Sequence, residues 1–338
     1  MRISRFGYAV SISAAALLAA CGGSQPPAGA PGAMPKTSAG VTHAGRGKSW
    51  MLPEAMSQDL FYVANTAHGP GTGTVTVYTY PRGKLVGDLK GFDRPNGLCV
   101  DKAGDVYVAS FYGETVSEYA HGGAKPIKTL EVDGAANGCA IDPTTGDLAV
   151  TLNCDGPIGY CYPSGTVLIY KKAEGHPETI ADIDSPEMFF CTYDKRGNLF
   201  TDGLGRGLAF AELPKGSETF RSIALVLPKG NGYPGGLEWA EGNLAVSASD
   251  GNAIYEYRID GDRATRIHRT LLNGLLNDYG TNQFWIFGGS VVAPVLSTAR
   301  YPDGLVEFFE FPAGGKPMKF ITKSLDRPWA AAVSPATT

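Results

Sequence analysis

Between Gly22 and Thr338 no run approaches the roughly 20 apolar residues that a membrane-spanning helix needs. Charge is also scarce. Only 18% of the 338 residues are charged, the formal net charge is −4, and Lys and Arg form no extended run. Such a chain lacks the basic footprint of a nucleic-acid-binding protein, so nucleic acid is not expected among its partners. There is no G-x-S-x-G, no H-E-x-x-H and no phosphate-binding loop. The histidines, at positions 43, 68, 121, 176 and 268, are scattered. The segment Gly203-Leu-Gly-Arg-Gly207 is glycine-rich but sits in a β context, where a phosphate cradle is not expected. What the chain has in quantity is Gly, 45 residues, and Pro, 23 residues, which suits many short strands joined by many turns.

Residues 1–20 begin with Arg2 and Arg5, continue as an apolar run and end in small residues, the pattern of a secretory signal. Leu18-Ala-Ala-Cys21 resembles the bacterial lipobox, which implies cleavage before Cys21 and acylation of its thiol. Acyl chains on one cysteine anchor firmly, because each buried CH₂ contributes about 0.8 kcal/mol. The residue after the cysteine is Gly22 rather than Asp, which favours an outer membrane where two membranes are present. Residues 21–56 are rich in Pro, Gly, Ala and Ser without apolar periodicity, and read as a flexible tether. The expected location is therefore extracytoplasmic, with membrane contact through the lipid anchor alone.

From about residue 57 a strand-turn-strand unit recurs. Its first strand returns as Pro95–Asp101 (PNGLCVD), then from Ala136, Pro186, Pro234, Thr281 and Pro328. The second and third strands each recur six times as well, as in Asp105–Ser110 (DVYVAS) and Thr115–His121 (TVSEYAH). The spacing of about 41 to 50 residues is that of four-stranded propeller blades. Strand interiors are apolar on both faces, as blades packed between two neighbours require. The strand near Asp59 lacks a first strand before it, and Pro328–Ser334 lacks partners after it. The prediction is an all-β, six-bladed propeller of four-stranded antiparallel blades over 57–338, closed by pairing of the N- and C-terminal strands and monomeric.

The segment PNGLCVDKAGDVYVAS, from Pro95, resembles the NHL-repeat consensus and the repeats of the regucalcin/gluconolactonase family. The likeness spans about residues 56–338 and speaks for architecture more than activity. Aligned repeats place Asn96, Asn137, Glu187, Gly235, Asn282 and Trp329 around one mouth of the central channel. In the lactonase-like family, Glu, Asn and Asp on inner strands hold a divalent metal. The resemblance thus implies Asn96, Asn137 and Glu187, with Asn282 at the equivalent position, as ligands of Ca²⁺ or another divalent cation. The sequence departs from that family at Trp329, which stands where an acidic ligand is expected, with no second carboxylate in its place. Pro-Asn-Gly also reads simply as a turn at strand entry.

The loops between second and third strands border the same mouth and carry Tyr112, Tyr160, Tyr162, Arg206, Arg300 and Tyr301. With Trp329 these are the candidate contacts for an unidentified small ligand or protein. Removing the acylated Cys21 leaves five cysteines. Cys154 and Cys161, in one long loop, are expected to form a disulfide in an oxidising compartment. Cys99, Cys139 and Cys191 read as small buried apolar residues, with Cys99 and Cys139 close enough in register to face each other between blades. Three functions fit: a ligand- or partner-binding propeller, a metal-dependent lactonase-like hydrolase, and an envelope-assembly scaffold.

Overall fold

The computed structural model describes residues 47–67, 69–157, 159–160, 162–182, 184–228, 232–248, 251–274 and 281–336. The signal segment, Cys21 and most of the expected tether lie outside them. The strands form six antiparallel sheets in a ring, as the repeats predicted. Blade 2 is typical: Pro95–Val100 innermost, then Val106–Ser110, Thr115–Tyr119 and Pro126–Glu131. The innermost strands of blades 3, 4, 5 and 6 are Gly134–Ile141, Glu187–Tyr193, Pro234–Ala240 and Trp285–Phe287.

Blade 1 is built from both ends of the chain. The C-terminal strand Pro328–Ser334 is innermost and pairs with Leu60–Asn65, so that Tyr62 faces Ala332. Ser334 Oγ donates to Gly104 O at 2.6 Å, and Ala336 N donates to Asp59 Oδ1 at 2.8 Å. A short strand, Trp50–Met51, adds a fifth strand at the outer edge of this blade, inside the segment expected to be tether. Ala55, just after it, is fully buried.

The reason both strand faces are apolar is visible in the cores. Six hydrophobic clusters occupy the six interfaces between neighbouring blades. Along Leu60–Asn65, Leu60, Tyr62 and Ala64 pack toward blade 2, while Phe61 and Val63 pack toward blade 6. Alternate side chains point to opposite faces of a strand, so a blade lying between two others needs apolar residues at every position.

The innermost strands are crowded. A Cβ on Gly97 would lie 2.6 Å from Asn137 O, one on Gly138 2.6 Å from Phe189 O, and one on Gly236 2.7 Å from Asn282 O. These glycines allow neighbouring innermost backbones to approach. The turn reading of Pro-Asn-Gly is therefore corrected: Pro95, Asn96 and Gly97 are already strand. Leu199–Leu204 is likewise one strand with Asp202 inside it, so the glycine-rich 203–207 begins within a strand, and Arg206 follows it.

A charge pattern repeats on the third strands. Glu118, Glu212 and Glu256 sit opposite Lys128, Arg221 and His268 on the fourth strands. In blade 6 the partner of Glu307 is Phe320. Burial without a facing cation pushes the Glu307 carboxyl up from 4.5 to about 7. Its raised pKa means the neutral form is favoured by folding, so its contribution is intact below about pH 4.5 and is lost as the pH rises through 7. Glu307→Gln is expected to match the wild type in denaturant titrations near pH 4 and to exceed it by about 2 kcal/mol at pH 8, a figure reduced from the full shift for partial solvent screening. Equal stability of the two proteins at pH 8 would contradict this account.

The cysteine expectations need one correction. Cys99 and Cys139 are not separate buried thiols but a disulfide joining the innermost strands of blades 2 and 3. Among the described residues Cys191 is a free, buried thiol, and burial, aided by nearby Asp202, raises its pKa. Cys154 is disulfide-bonded, whereas Cys161, and with it the expected Cys154–Cys161 bridge, lies outside the described residues.

Candidate binding site at the channel mouth

The starts of the innermost strands and the loops between second and third strands meet at one end of the ring. There Asn96 Nδ2 donates to Asn137 Oδ1 at 2.8 Å, and Asn137 Nδ2 donates to Phe189 O at 3.0 Å. Both amides are buried, and Asn96 Oδ1 has no hydrogen-bond partner. Of the four residues expected to hold a cation, Asn96 and Asn137 are thus brought into direct contact, with the Asn137 oxygen already committed to Asn96. Glu187 is half-buried at the start of blade 4, and Asn282 is buried at the start of blade 6. Among the described residues no group of three or more His, Cys, Asp or Glu side chains is placed to hold a metal ion. The donors left are the orphaned Asn96 oxygen, the Asn282 amide and the Glu187 carboxylate, well short of the six to eight oxygens calcium takes. This set alone does not fit a calcium ion.

Just behind these residues the innermost strands of blades 3, 4 and 5 bulge, and in each a second-strand side chain accepts an N–H at the bulge. Thr151 Oγ1 accepts from Gly138 N at 3.0 Å, and Ser247 Oγ accepts from Gly236 N at 2.9 Å. Blade 4 uses a carboxyl instead: Asp202 Oδ1 accepts from Phe190 N at 2.7 Å. Asp202 is fully buried, its Oδ2 has no partner, and burial raises its pKa far above the usual carboxylate range. Burial in this way favours the neutral form of the carboxyl over the charged one.

The rim is aromatic and carries one prominent cation. The Arg94 guanidinium lies over three rings, with centroids at 4.9 Å for Phe111, 5.2 Å for Tyr112 and 5.8 Å for Trp329. It also donates to Tyr112 Oη at 3.0 Å. Tyr233, about half exposed, packs edge-on against Phe189. Its pKa is raised by burial and then by Glu187, with Arg94 pulling the other way, so both charges act on it across the mouth. Neither Arg94 nor Tyr233 was singled out from sequence. Arg94 precedes a repeat start, and an Asp-Arg-Pro tripeptide at both 93–95 and 326–328 is the signal that was available.

A cavity of about 330 Å³ opens beside Arg94, between blades 1 and 2. Of the seven residues expected to contact a ligand, Tyr112 and Trp329 line it. Tyr160 and Tyr162 are strongly exposed on the blade 3 loop, and Arg206 is exposed on the blade 4 loop. Arg300 and Tyr301 form a separate pair, Arg300 stacking on Tyr301 and Tyr301 leaning on Phe320. Gly235 packs against Ser247 with no room for a side chain, a Cβ there falling 2.6 Å from Ser247 O.

The channel is tied across below the mouth. Gln283 of blade 6 accepts from Leu98 N at 2.9 Å and donates to Leu98 O, reaching blade 2 past the C-terminal strand. Near the far end a second cavity of about 260 Å³ is lined by the Cys99–Cys139 bridge, Glu238, Trp239 and Trp285. Glu238 lines this cavity, and burial raises its pKa strongly although Ile286 N donates to it.

The fold is shared widely; 1312 solved chains match it. One is from a crystal structure of a nidogen/laminin complex, 14% identical, with a TM-score of 0.63, covering 83% of this chain and 99% of its own. Another, of unknown function and from Bacteroides caccae, is 10% identical with a TM-score of 0.60, covering 82% of this chain and 99% of its own. The likeness is one of fold. No protein family matches the sequence, and no curated protein does. Because propellers host many unrelated activities, function has to be argued from the mouth itself.

Proposed function

We propose that this chain is a lipid-anchored, extracytoplasmic propeller that binds a small ligand or a partner protein at the loop-rich mouth. The observation that carries this is the rim: Arg94 framed by three aromatic rings, facing half-exposed Tyr233 and Glu187, on a rigid ring. Aromatic and Arg side chains are the usual anchors of recognition surfaces. The Cys99–Cys139 disulfide supports an oxidising compartment, in keeping with the signal segment and Cys21. The nidogen/laminin fold-mate offers a precedent of the same fold in a protein complex.

Photo-crosslinking residues placed at Tyr160 and Tyr233 on the mouth, and at Lys102 on a turn between first and second strands, test this in the intact cell envelope. Crosslinks, or a co-purifying ligand lost in Tyr233→Ala, are expected from the mouth positions alone. Adducts confined to Lys102 would place recognition elsewhere.

A metal-dependent, lactonase-like hydrolase is the second reading, favoured by the orphaned Asn96 Oδ1 at the end of the ring where Glu187 begins its innermost strand. Calorimetric titration with Ca²⁺, Mg²⁺ and Zn²⁺ decides it. Binding that disappears in both Asn96→Ala and Glu187→Ala supports the hydrolase, and no heat from any of the three ions ends it.

A further inference from the structure

The cavity between blades 1 and 2 has the chemistry of a carboxylate site. It is lined by two guanidinium groups, Arg94 and Arg327, against a single carboxylate, Asp93. Among the described residues no carboxylate pairs with Arg94. A third donor, Trp329 Nε1, is buried there without a hydrogen-bond partner. Buried donors are ordinarily satisfied, so an unmatched indole N–H beside an arginine without a counter-ion calls for an acceptor from outside the chain.

The backbone places both arginines deliberately. Arg94 has φ of 55° and Arg327 of 59°, the left-handed region that a side-chain-bearing residue rarely adopts, and both precede a proline. The conformation is held by equivalent bonds in the two blades. Phe111 N donates to Arg94 O at 2.9 Å, and Thr66 N donates to Arg327 O at 3.1 Å. Strained backbone persists where the surroundings over-determine it, and such positions cluster at ligand clamps. Here the repeated Asp-Arg-Pro turns both side chains toward one volume.

Three aromatic faces hold the Arg94 guanidinium in one plane, which favours the planar, two-point recognition of a carboxylate over a spherical ion. The cavity, about 330 Å³, is at the small end for ligand sites and takes a single ring. We infer that this pocket binds a small carboxylate carried on one ring, aromatic or sugar, the carboxylate meeting Arg94 and the ring lying against Tyr112 and Trp329. This rests on the proposal that the mouth is the recognition surface and narrows it to a ligand class.

The test is titration of the full chain with benzoate and D-glucuronate, each beside its uncharged counterpart, benzyl alcohol and D-glucose, and with inorganic phosphate as an anion without a ring. Saturable binding of at least one carboxylate is expected, with the counterparts and phosphate weaker by about tenfold or more. Arg94→Lys, which keeps the charge but loses the fork, should weaken the carboxylate about tenfold, and Tyr112→Phe should do so less, with unchanged melting temperatures confirming the fold. The idea is overturned if neither carboxylate binds, if the uncharged compounds or phosphate bind equally well, or if Arg94→Lys binds as the wild type does. Mouth crosslinks obtained alongside such a failure would leave the binding surface standing and remove only the ligand class.

Discussion

Cys99→Ala/Cys139→Ala is expected to lower the stability of the propeller by about 4 kcal/mol. The bridge spans a sequence separation of 40, and closing a loop of that size removes roughly this much chain entropy from the unfolded state. Native packing changes less, because alanine removes a single sulfur atom from each of two positions buried in the interface between blades 2 and 3. The measurement is the denaturant midpoint with and without a reductant added to the unfolded protein. Wild-type protein refolded under reducing conditions should fall to the midpoint that the variant shows under the same reducing conditions, the remaining effect of reductant on the variant being that of the Cys154 bridge. An unchanged midpoint in the double variant would mean that the bridge does not constrain the unfolded chain.

The second large effect is expected from Gln283→Met. The side chain keeps its volume and loses both hydrogen bonds, leaving the N–H and C=O of Leu98 unmatched in a buried stretch of innermost strand. An unsatisfied buried backbone group costs about 1–3 kcal/mol, so the pair is expected to cost about 3 kcal/mol after partial relaxation. Because Gln283 fastens blade 6 to blade 2 across the strand that closes the ring, the loss should also be local. The Leu98 amide should exchange with solvent faster than amides of the outer strands of blade 2. Unaltered exchange at Leu98 would show that the cross-channel amide is dispensable.

These two effects arise at places where the sequence was least informative, and the reason is the same in both. Cys99 and Cys139 occupy strands whose local pattern says only that a small apolar residue is wanted. Whether their sulfurs meet depends on how two blades are rotated about the axis, to which neither strand's alternation refers. Gln283 sits in a segment read as a first strand, of which Trp285–Phe287 is strand and Gln283 an isolated bridge to Ala330, but its side-chain partner is 185 residues away. Asp202 lies at the end of a repeat's second strand, where the local pattern assigns its carboxyl no partner. In the folded chain it is strand, and its carboxyl substitutes for the hydroxyls of Thr151 and Ser247 at an equivalent bulge. Tyr112 and Trp329, both expected at the mouth, line one cavity there. Arg94 escaped notice because a residue before Pro-Asn-Gly looks like a linker until its positive φ is known.

The sequence by itself determined the number of blades, the order of strands within each and the closure by both chain ends. Those follow from short-range physics, the alternation of side chains along a strand and the turns that glycine permits, repeated six times. Only the tertiary structure decided which side chains share the channel: the bridged cysteines, the amide that ties blade 6 to blade 2, and the arginine among three rings. Converging strands bring residues far apart in the chain within a few ångströms of the axis, and no local pattern encodes that proximity.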